Sequence, residues 1–325
     1  MSLTPAPLFD DMVGVPPGGT ACWAQTSDGV RIRIAYWRPE GAARGTVLML
    51  PGRTEYIEKY GDTAGELARR GFATVVVDWR GQGLADRLLD DVRLGHVDRF
   101  TDYQLDLAAV LQVTRAAELP QPLHLIGHSM GGGIGLRAVI EGLPIQTCAF
   151  TGPMWGIYMS SVVRPFGWAL SHVAPIMGMG TRLPPSTRHE GYVQSQPFAG
   201  NALTGDPGQY RMMQDQLTAH PELGIGGPTL VWLRESLGEC RYLSRQASPD
   251  VPCVTFLGSE EQIIDCDAVH RRIESWPCGT LDVVPYARHE VLMETPAIRT
   301  RVFDRLEALF TGGHNCNGKK AAAIA

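Results

Sequence analysis

The chain reads as an α/β fold with a mostly parallel central sheet, helices on both faces, and a mainly helical insertion on top. Three observations predict it. The runs GTVLML (45–50), FATVVVDW (72–79), PLHLIG (122–127) and CVTFLG (253–258) have the length and unbroken apolar character of strands buried on both faces. Stretches with helical spacing alternate with them, which demands a covered parallel sheet. The alternation stops between about residues 155 and 250, where Trp155, Trp168, Met177, Met179, Met212, Met213 and Trp232 gather among prolines. An open parallel sheet binds ligands beyond the carboxyl ends of its strands, so such an insertion would roof the site.

Taken in order, residues 21–26 and 31–38 form a hairpin around Ser27-Asp28-Gly29, a good turn sequence. After strand 45–50, Pro51-Gly52 breaks the chain, and residues 56–70 show helical spacing through Ile57, Tyr60, Ala64 and Leu67. Strand 72–79 ends at Arg80-Gly81-Gln82-Gly83, and a helix follows over 101–117. Strand 122–127 leads to a helix from Gly132 to Ile140, and CAFTGPM (148–154) and LDVVPY (281–286) are further strands. Helices near 266–275 and 295–310 complete the pattern. The division this predicts is an N-terminal extension over 1–19, a core over 20–154 and 251–312, a helical cap over 155–250, and a disordered tail over 313–325.

The 325 residues suit two domains by length alone, or one large α/β domain carrying an insertion. A hydrophobic share of 44% with 19% charged residues excludes global disorder. The net charge of −5 leaves no basic surplus for a phosphate backbone, so no nucleic-acid partner is expected. The N-terminus has no Lys or Arg before its apolar residues, which is not a secretory signal. No run approaches the ~18 apolar residues of a membrane span; Met154–Met179 is broken by Arg164, Pro165, His172 and Pro175. The seven cysteines (22, 148, 240, 253, 266, 278, 316) are odd in number and form no CxxC pair. Neither a disulfide framework nor a zinc site follows, and reduced thiols in a cytoplasmic protein are expected.

Gly127-His128-Ser129-Met130-Gly131 matches G-x-S-x-G. The pattern alone is weak, because 37 glycines make chance matches common. Its context is specific: it follows one strand directly and opens a helix. A sharp strand-to-helix turn needs bulk-free neighbours around Ser129, lifts the hydroxyl above the sheet edge, and aims helix-start amides at a developing oxyanion. The bland alternative is an ordinary glycine-rich turn. A serine hydroxyl needs a base oriented by an acid, in the chain order Ser, acid, His. His289 follows the last strand, where the base must hang over Ser129. His124 suits a packed core residue, His128 is the variable elbow position, and His96, His172, His189, His220, His270 and His314 lack matching context. The acid should follow strand 253–258, where Glu260, Glu261 and Asp265 are available. Glu261 is preferred, with Asp265 better suited to capping the next helix and Glu260 to solvent. The oxyanion amides would be those of Met130 and Arg53, since Pro51 has no N–H and Gly52 permits close approach. Glu55 would brace that loop or cap the helix after it, and Asp78–Gly83 reads as structural.

LHLIGHSMGG, PGRTEYIEKYGD, DWRGQGLADR, GSEEQIID and ARHEVLME together resemble the lysophospholipase L2 and monoacylglycerol lipase branch of the α/β-hydrolases, from about residue 20 to 312. The family's His-Gly oxyanion motif appears here as Pro51-Gly52, and Glu261 stands where Asp is common. The segments Pro153–Ile157 and Gly226–Thr229 also look similar to the lysophospholipase subgroup. The resemblance implies a serine ester hydrolase acting on lysophospholipids or monoacylglycerols, with no metal or cofactor, and Met154, Trp155 and Gly52 near the substrate. The insertion's Trp and Met content suits an acyl-chain tunnel, although the same residues would equally pack the insertion onto the sheet. A lipid substrate brings peripheral contact with a membrane surface, at the inner face for a cytoplasmic protein, and the net charge makes a local apolar patch on the cap the means of docking. The competing expectations are a carboxylesterase or thioesterase for small soluble acyl substrates, and a silent binding protein on the same fold. Ser at the elbow disfavours a dehalogenase. The sequence leaves head group, acyl length and oligomeric state open.

Overall fold

The computed structural model describes residues 3–160, 162–185 and 187–312. The tail expected to be disordered, with Cys316 and His314, lies outside the described residues. Nine strands form one sheet: β1 (Thr4–Pro5), β2 (Thr20–Gln25), β3 (Arg31–Trp37), β4 (Thr46–Leu50), β5 (Ala73–Asp78), β6 (Leu123–His128), β7 (Thr147–Thr151), β8 (Cys253–Gly258) and β9 (Gly279–Val284). Their order is β1-β2-β3-β5-β4-β6-β7-β8-β9. Pairing is antiparallel from β1 to β5 and parallel from β5 through β9.

The helices are α1 (Gly61–Arg69), α2 (Tyr103–Ala116), α3 (Met130–Ile140), α4 (Val163–Ile176), α5 (Tyr192–Ser195), α6 (Pro207–Ala219), α7 (Leu230–Leu243), α8 (Cys266–Glu274) and α9 (Pro296–Phe310). Strands β4 to β8 are buried along their whole length because both faces are covered, whereas at the sheet edges β1 is exposed and β9 partly exposed. In β4, Leu48 and Leu50 join a core with α2, α3 and α8, while Val47 and Met49 join another with α1 and α9. The four helices α4–α7 lie between β7 and β8, where the strand–helix alternation stops. No helix among the described residues is long and apolar enough to cross a membrane.

Several boundaries differ from the expectation. The helices expected at 56–70 and 101–117 each start with a 3₁₀ turn, Ile57–Tyr60 and Phe100–Asp102. The last strand starts two residues early, because Gly279 and Thr280 pair with Cys253 and Val254, and Tyr286 turns away at φ 63°. The helix after the elbow starts at Met130 rather than Gly132. Within the N-terminal extension, Thr4–Pro5 pair with β2, and Met12 and Val15 are buried. Cys22, Cys148, Cys240, Cys253 and Cys266 are free, but Cys278 is disulfide-bonded, which corrects the expectation of reduced thiols throughout. Counting and CxxC spacing do not detect such a bond.

Candidate active site

Ser129 joins β6 to α3 at φ 50° and ψ −116°. A non-glycine residue in this region costs about 1–3 kcal/mol, which the surroundings must impose. They do so by leaving no alternative space. A Cβ on Gly127 would stand 2.8 Å from the Gly131 carbonyl oxygen, and one on Gly131 would collide with the Leu50 carbonyl. The Ser129 carbonyl accepts from Gly132 at 2.9 Å and from Met154 at 2.8 Å, so the turn is fastened from both sides.

His289 lies on the loop after β9, and its Nδ1 is 2.7 Å from Glu261 Oε2. Glu261 follows β8, and its Oε1 accepts from the Ile263 amide at 2.7 Å. The two loops are tied by Glu260 N–H to Ala287 O at 2.9 Å and Tyr286 N–H to Ser259 Oγ at 2.8 Å. Burial alone would raise the Glu261 pKa, but the His289 hydrogen bond and charge outweigh it and hold the carboxyl low. Such a carboxylate only accepts, so Nδ1 carries the hydrogen and Nε2 is left with its lone pair. Burial alone would lower His289; the bond and charge of Glu261 reverse the sign and raise it. The other two acids stand elsewhere. Asp265 caps α8 by accepting from Ala268 N–H at 3.3 Å, and Glu260 is exposed beside Arg288 at 3.5 Å.

Gly52 packs against the elbow, since a Cβ there would stand 3.1 Å from Ser129 Cβ. Its own N–H is taken by Glu55 Oε2, so Glu55 braces this loop rather than capping a helix. Gln82 spans the loop from the other side: its Oε1 accepts from Thr54 N–H at 2.8 Å and its Nε2 donates to Gly52 O at 3.1 Å. The segment 78–83 is thus structural in a specific sense, as the mould of residues 52–54. Between these braces, no acceptor among the described residues takes the amide of Arg53 or of Met130. Main-chain N–H groups are seldom left without a partner, which marks these two as available to a ligand.

Behind the loop lies a buried ionic cluster that spacing did not reveal. Lys59 Nζ donates to Glu55 Oε1 at 2.7 Å and to Glu290 Oε1 at 2.8 Å. Burial opposes the Lys59 charge, but the two glutamates outweigh it and raise its pKa. Burial pushes His128 down to about 3, so its ring is neutral. Glu55, His128 and Glu290 bring ligand atoms within 4.8 Å of one another. The ammonium of Lys59 already bridges the two carboxylates, supplying the cation such a cluster needs. Lys59 and Glu290 are 231 positions apart, and no motif connects them.

Ser129 and His289 open into one cavity of about 300 Å³. Its apolar wall includes Val193, Leu203, Met213, Leu217 and Ile263. Met154, Trp155 and Gly52, expected beside the substrate, are not among the residues that line the cavity. Trp155 is buried behind α3, donating its indole N–H to Gly132 O at 3.1 Å and stacking near Trp276 at 6.1 Å. Met154 supports the elbow through its amide, and a buried indole has to find an acceptor, which here lies in the helix start.

The family described as serine aminopeptidase, S33 (Hydrolase_4) matches residues 41–296. The chain belongs to this family. Within it, this S33-family hydrolase is 30% identical over 316 residues to lysophospholipase L2 of Escherichia coli K12, covering 91% of this chain and 89% of the relative. It is 22% identical over 300 residues to a monoglyceride lipase of Saccharomyces cerevisiae, covering 86% and 90%. Among solved structures it is similar to a soluble variant of the yeast monoglyceride lipase bound to a substrate analog, with TM-score 0.70, 20% identity and coverage of 96% and 100%. It also matches a carboxyl esterase of Bacillus coagulans at TM-score 0.73 and 16% identity, covering 91% and 99%. The S33-family chain has the α/β-hydrolase fold and is a carboxylic ester hydrolase, similar to relatives named lysophospholipase and monoglyceride lipase.

Proposed function

We propose that this hydrolase releases fatty acid from a lysophospholipid or monoacylglycerol through an acyl-enzyme, with Ser129 as nucleophile, His289 as base and Glu261 as its orienting acid. The observation that carries this reading is the 2.7 Å His289–Glu261 contact, with His289 and Ser129 lining the same cavity. Ser129 Oγ attacks the ester carbonyl and passes its proton to His289 Nε2. The Arg53 and Met130 amides hold the negative oxygen of the tetrahedral intermediate. The imidazolium, steadied by Glu261, returns the proton to the departing alcohol. A water then attacks the acyl-enzyme with His289 as base again. The aliphatic wall favours an acyl chain over the polar backbone that the family's peptidase description brings to mind.

The test is an acyl-chain profile of aryl and glycerol esters, with fluorophosphonate labelling of Ser129. Labelling and a rise in kcat/KM towards long chains are expected. A sharp optimum at short chains would move the reading to a soluble-substrate esterase or thioesterase, and absence of labelling would favour a silent binding protein.

A lipid substrate must be drawn from an aggregate, and α4 supports a docking role. Val163, Phe166, Val173 and Ile176 on this helix are all exposed, with Ile176 86% accessible, and Met177 beyond it. Such a stripe enters a lipid interface through apolar area rather than charge. Phe166→Glu with Ile176→Glu is expected to abolish sedimentation with phosphatidylcholine vesicles while hydrolysis of short soluble esters persists. Undiminished vesicle binding would remove α4 from this role.

A further inference from the structure

Arg53 on the oxyanion loop shares with Arg87 and Arg272 the lack of a carboxylate partner among the described residues, but unlike those two it lines the reaction cavity. Arg33 is paired with Glu58 and Asp78, Arg80 with Asp28 and Asp106, and Arg137 with Glu239 and Glu141. Arg53 is partly buried and lines the reaction cavity, yet among the described residues no carboxylate lies within ion-pair distance of it. Of its five N–H donors, one is used: Nη1 donates to Gly226 O at 2.9 Å. Trp232 lies under the guanidinium at 5.6 Å. The nearest acid on the same loop, Glu55, has both oxygens committed, Oε1 to Lys59 and Oε2 to Gly52 N–H and Tyr60 OH. Glu290 is held by Lys59 through Oε1 alone, and its Oε2 has no hydrogen-bond partner among the described residues. Burial lowers Arg53 to about 10, against the raising effect of Tyr103 and Glu55, and the group remains a cation at neutral pH. A desolvated guanidinium without an anion is costly to keep unless an anion arrives.

We infer that the Arg53 side chain binds the phosphate of the leaving group, so that the substrate class is the lysophospholipid, whose leaving alcohol is a glycerophosphodiester, rather than the uncharged monoacylglycerol. This rests on the ester hydrolase reading, with the Arg53 amide on the oxyanion. Covalent lengths support it. From the ester carbonyl carbon to the phosphorus of a 1-acyl lysophospholipid runs a chain of as many bonds as from the Arg53 amide nitrogen to its guanidinium carbon, each roughly 7 Å when extended. A residue whose amide touches the oxyanion therefore carries its charge to the distance at which the phosphate lies. The planar fork suits two phosphate oxygens at once. No acid of the cavity lies within ion-pair distance of this charge among the described residues: Glu55 is committed to Lys59, Tyr60 and the Gly52 amide, and Glu290 to Lys59 through one oxygen.

The experiment compares kcat/KM for 1-acyl lysophosphatidylcholine and for 1-monoacylglycerol with the same chain, in the wild-type enzyme, Arg53→Met and Arg53→Lys. The wild type is expected to favour the phosphodiester. Arg53→Met should lower the ratio of the two values by about 10- to 100-fold, and Arg53→Lys should recover part of it. Glycerophosphocholine should inhibit the wild-type enzyme competitively where glycerol does not, a readout that needs no variant to fold. An equal loss on both substrates would reduce Arg53 to a tie between its loop and Gly226 and overturn the inference. So would a wild-type enzyme that cleaves monoacylglycerol but not lysophospholipid, or that ignores glycerophosphocholine. An enzyme inert towards both esters would instead sink the hydrolase reading, and the inference with it.

Discussion

Ser129→Ala is expected to lower kcat by roughly 10⁴- to 10⁶-fold, the range seen when a triad nucleophile is removed. The fold should survive. Alanine has the same backbone freedom at φ 50° as serine, and the hydroxyl contributes nothing to the glycine fit that shapes the elbow. The circular dichroism spectrum and Tm should match those of the parent protein. A residual rate above the uncatalysed one should remain, because the Arg53 and Met130 amides that we propose as the oxyanion donors are untouched by the substitution. Turnover close to that of the parent, measured on a long-chain ester, would refute the nucleophile.

Glu261→Gln is expected to cost roughly 10³- to 10⁴-fold in kcat, since an amide no longer fixes the ring with its hydrogen on Nδ1. It should also change the pH profile in a stated direction. Glu261 is what overturns the effect of burial and raises the His289 pKa. Catalysis needs the neutral ring, so the acid limb of kcat/KM in the parent lies above the usual imidazole value of about 6.5. Removing the charge should move that limb to lower pH. Linkage gives the matching stability signs. The raised His289 contributes stability at pH below its unfolded value and loses it as pH rises through the folded one. The lowered Glu261 contributes above its unfolded value and loses it on acidification. Glu261→Ala should be more damaging than Glu260→Ala or Asp265→Ala; a reversed ranking, or an acid limb unmoved in Glu261→Gln, would assign the acid elsewhere.

What the sequence made legible follows from how locally each feature is determined. The elbow could be read because strand, turn and helix are contiguous, and Gly127 and Gly131 are required by contacts within a few residues and with β4. Chain order after β8 and β9 pointed to Glu261 and His289, the pair that the fold brings to 2.7 Å and that we propose as acid and base. The ends of β9 were not, because Gly279 and Thr280 look like turn residues and become strand only through pairing with β8. Trp155 misled for a related reason: an aromatic residue after β7 near the site suits a pocket wall, and only packing against Trp276 and Gly132 places it behind α3. The Lys59–Glu290 pair and the role of Gln82 rest on contacts across the fold, for which a single sequence carries no periodic or spacing signal.

The loop at residues 52–54 is clamped by side chains from two different places, Glu55 beyond it and Gln82 after β5. The directions of its main-chain dipoles are therefore settled when the chain folds, and no free energy has to be found during turnover to align them as charge moves onto the carbonyl oxygen. Loosening either clamp would leave the nucleophile and base intact and shift the penalty into the barrier itself, as an entropy of activation rather than a weaker grip on substrate.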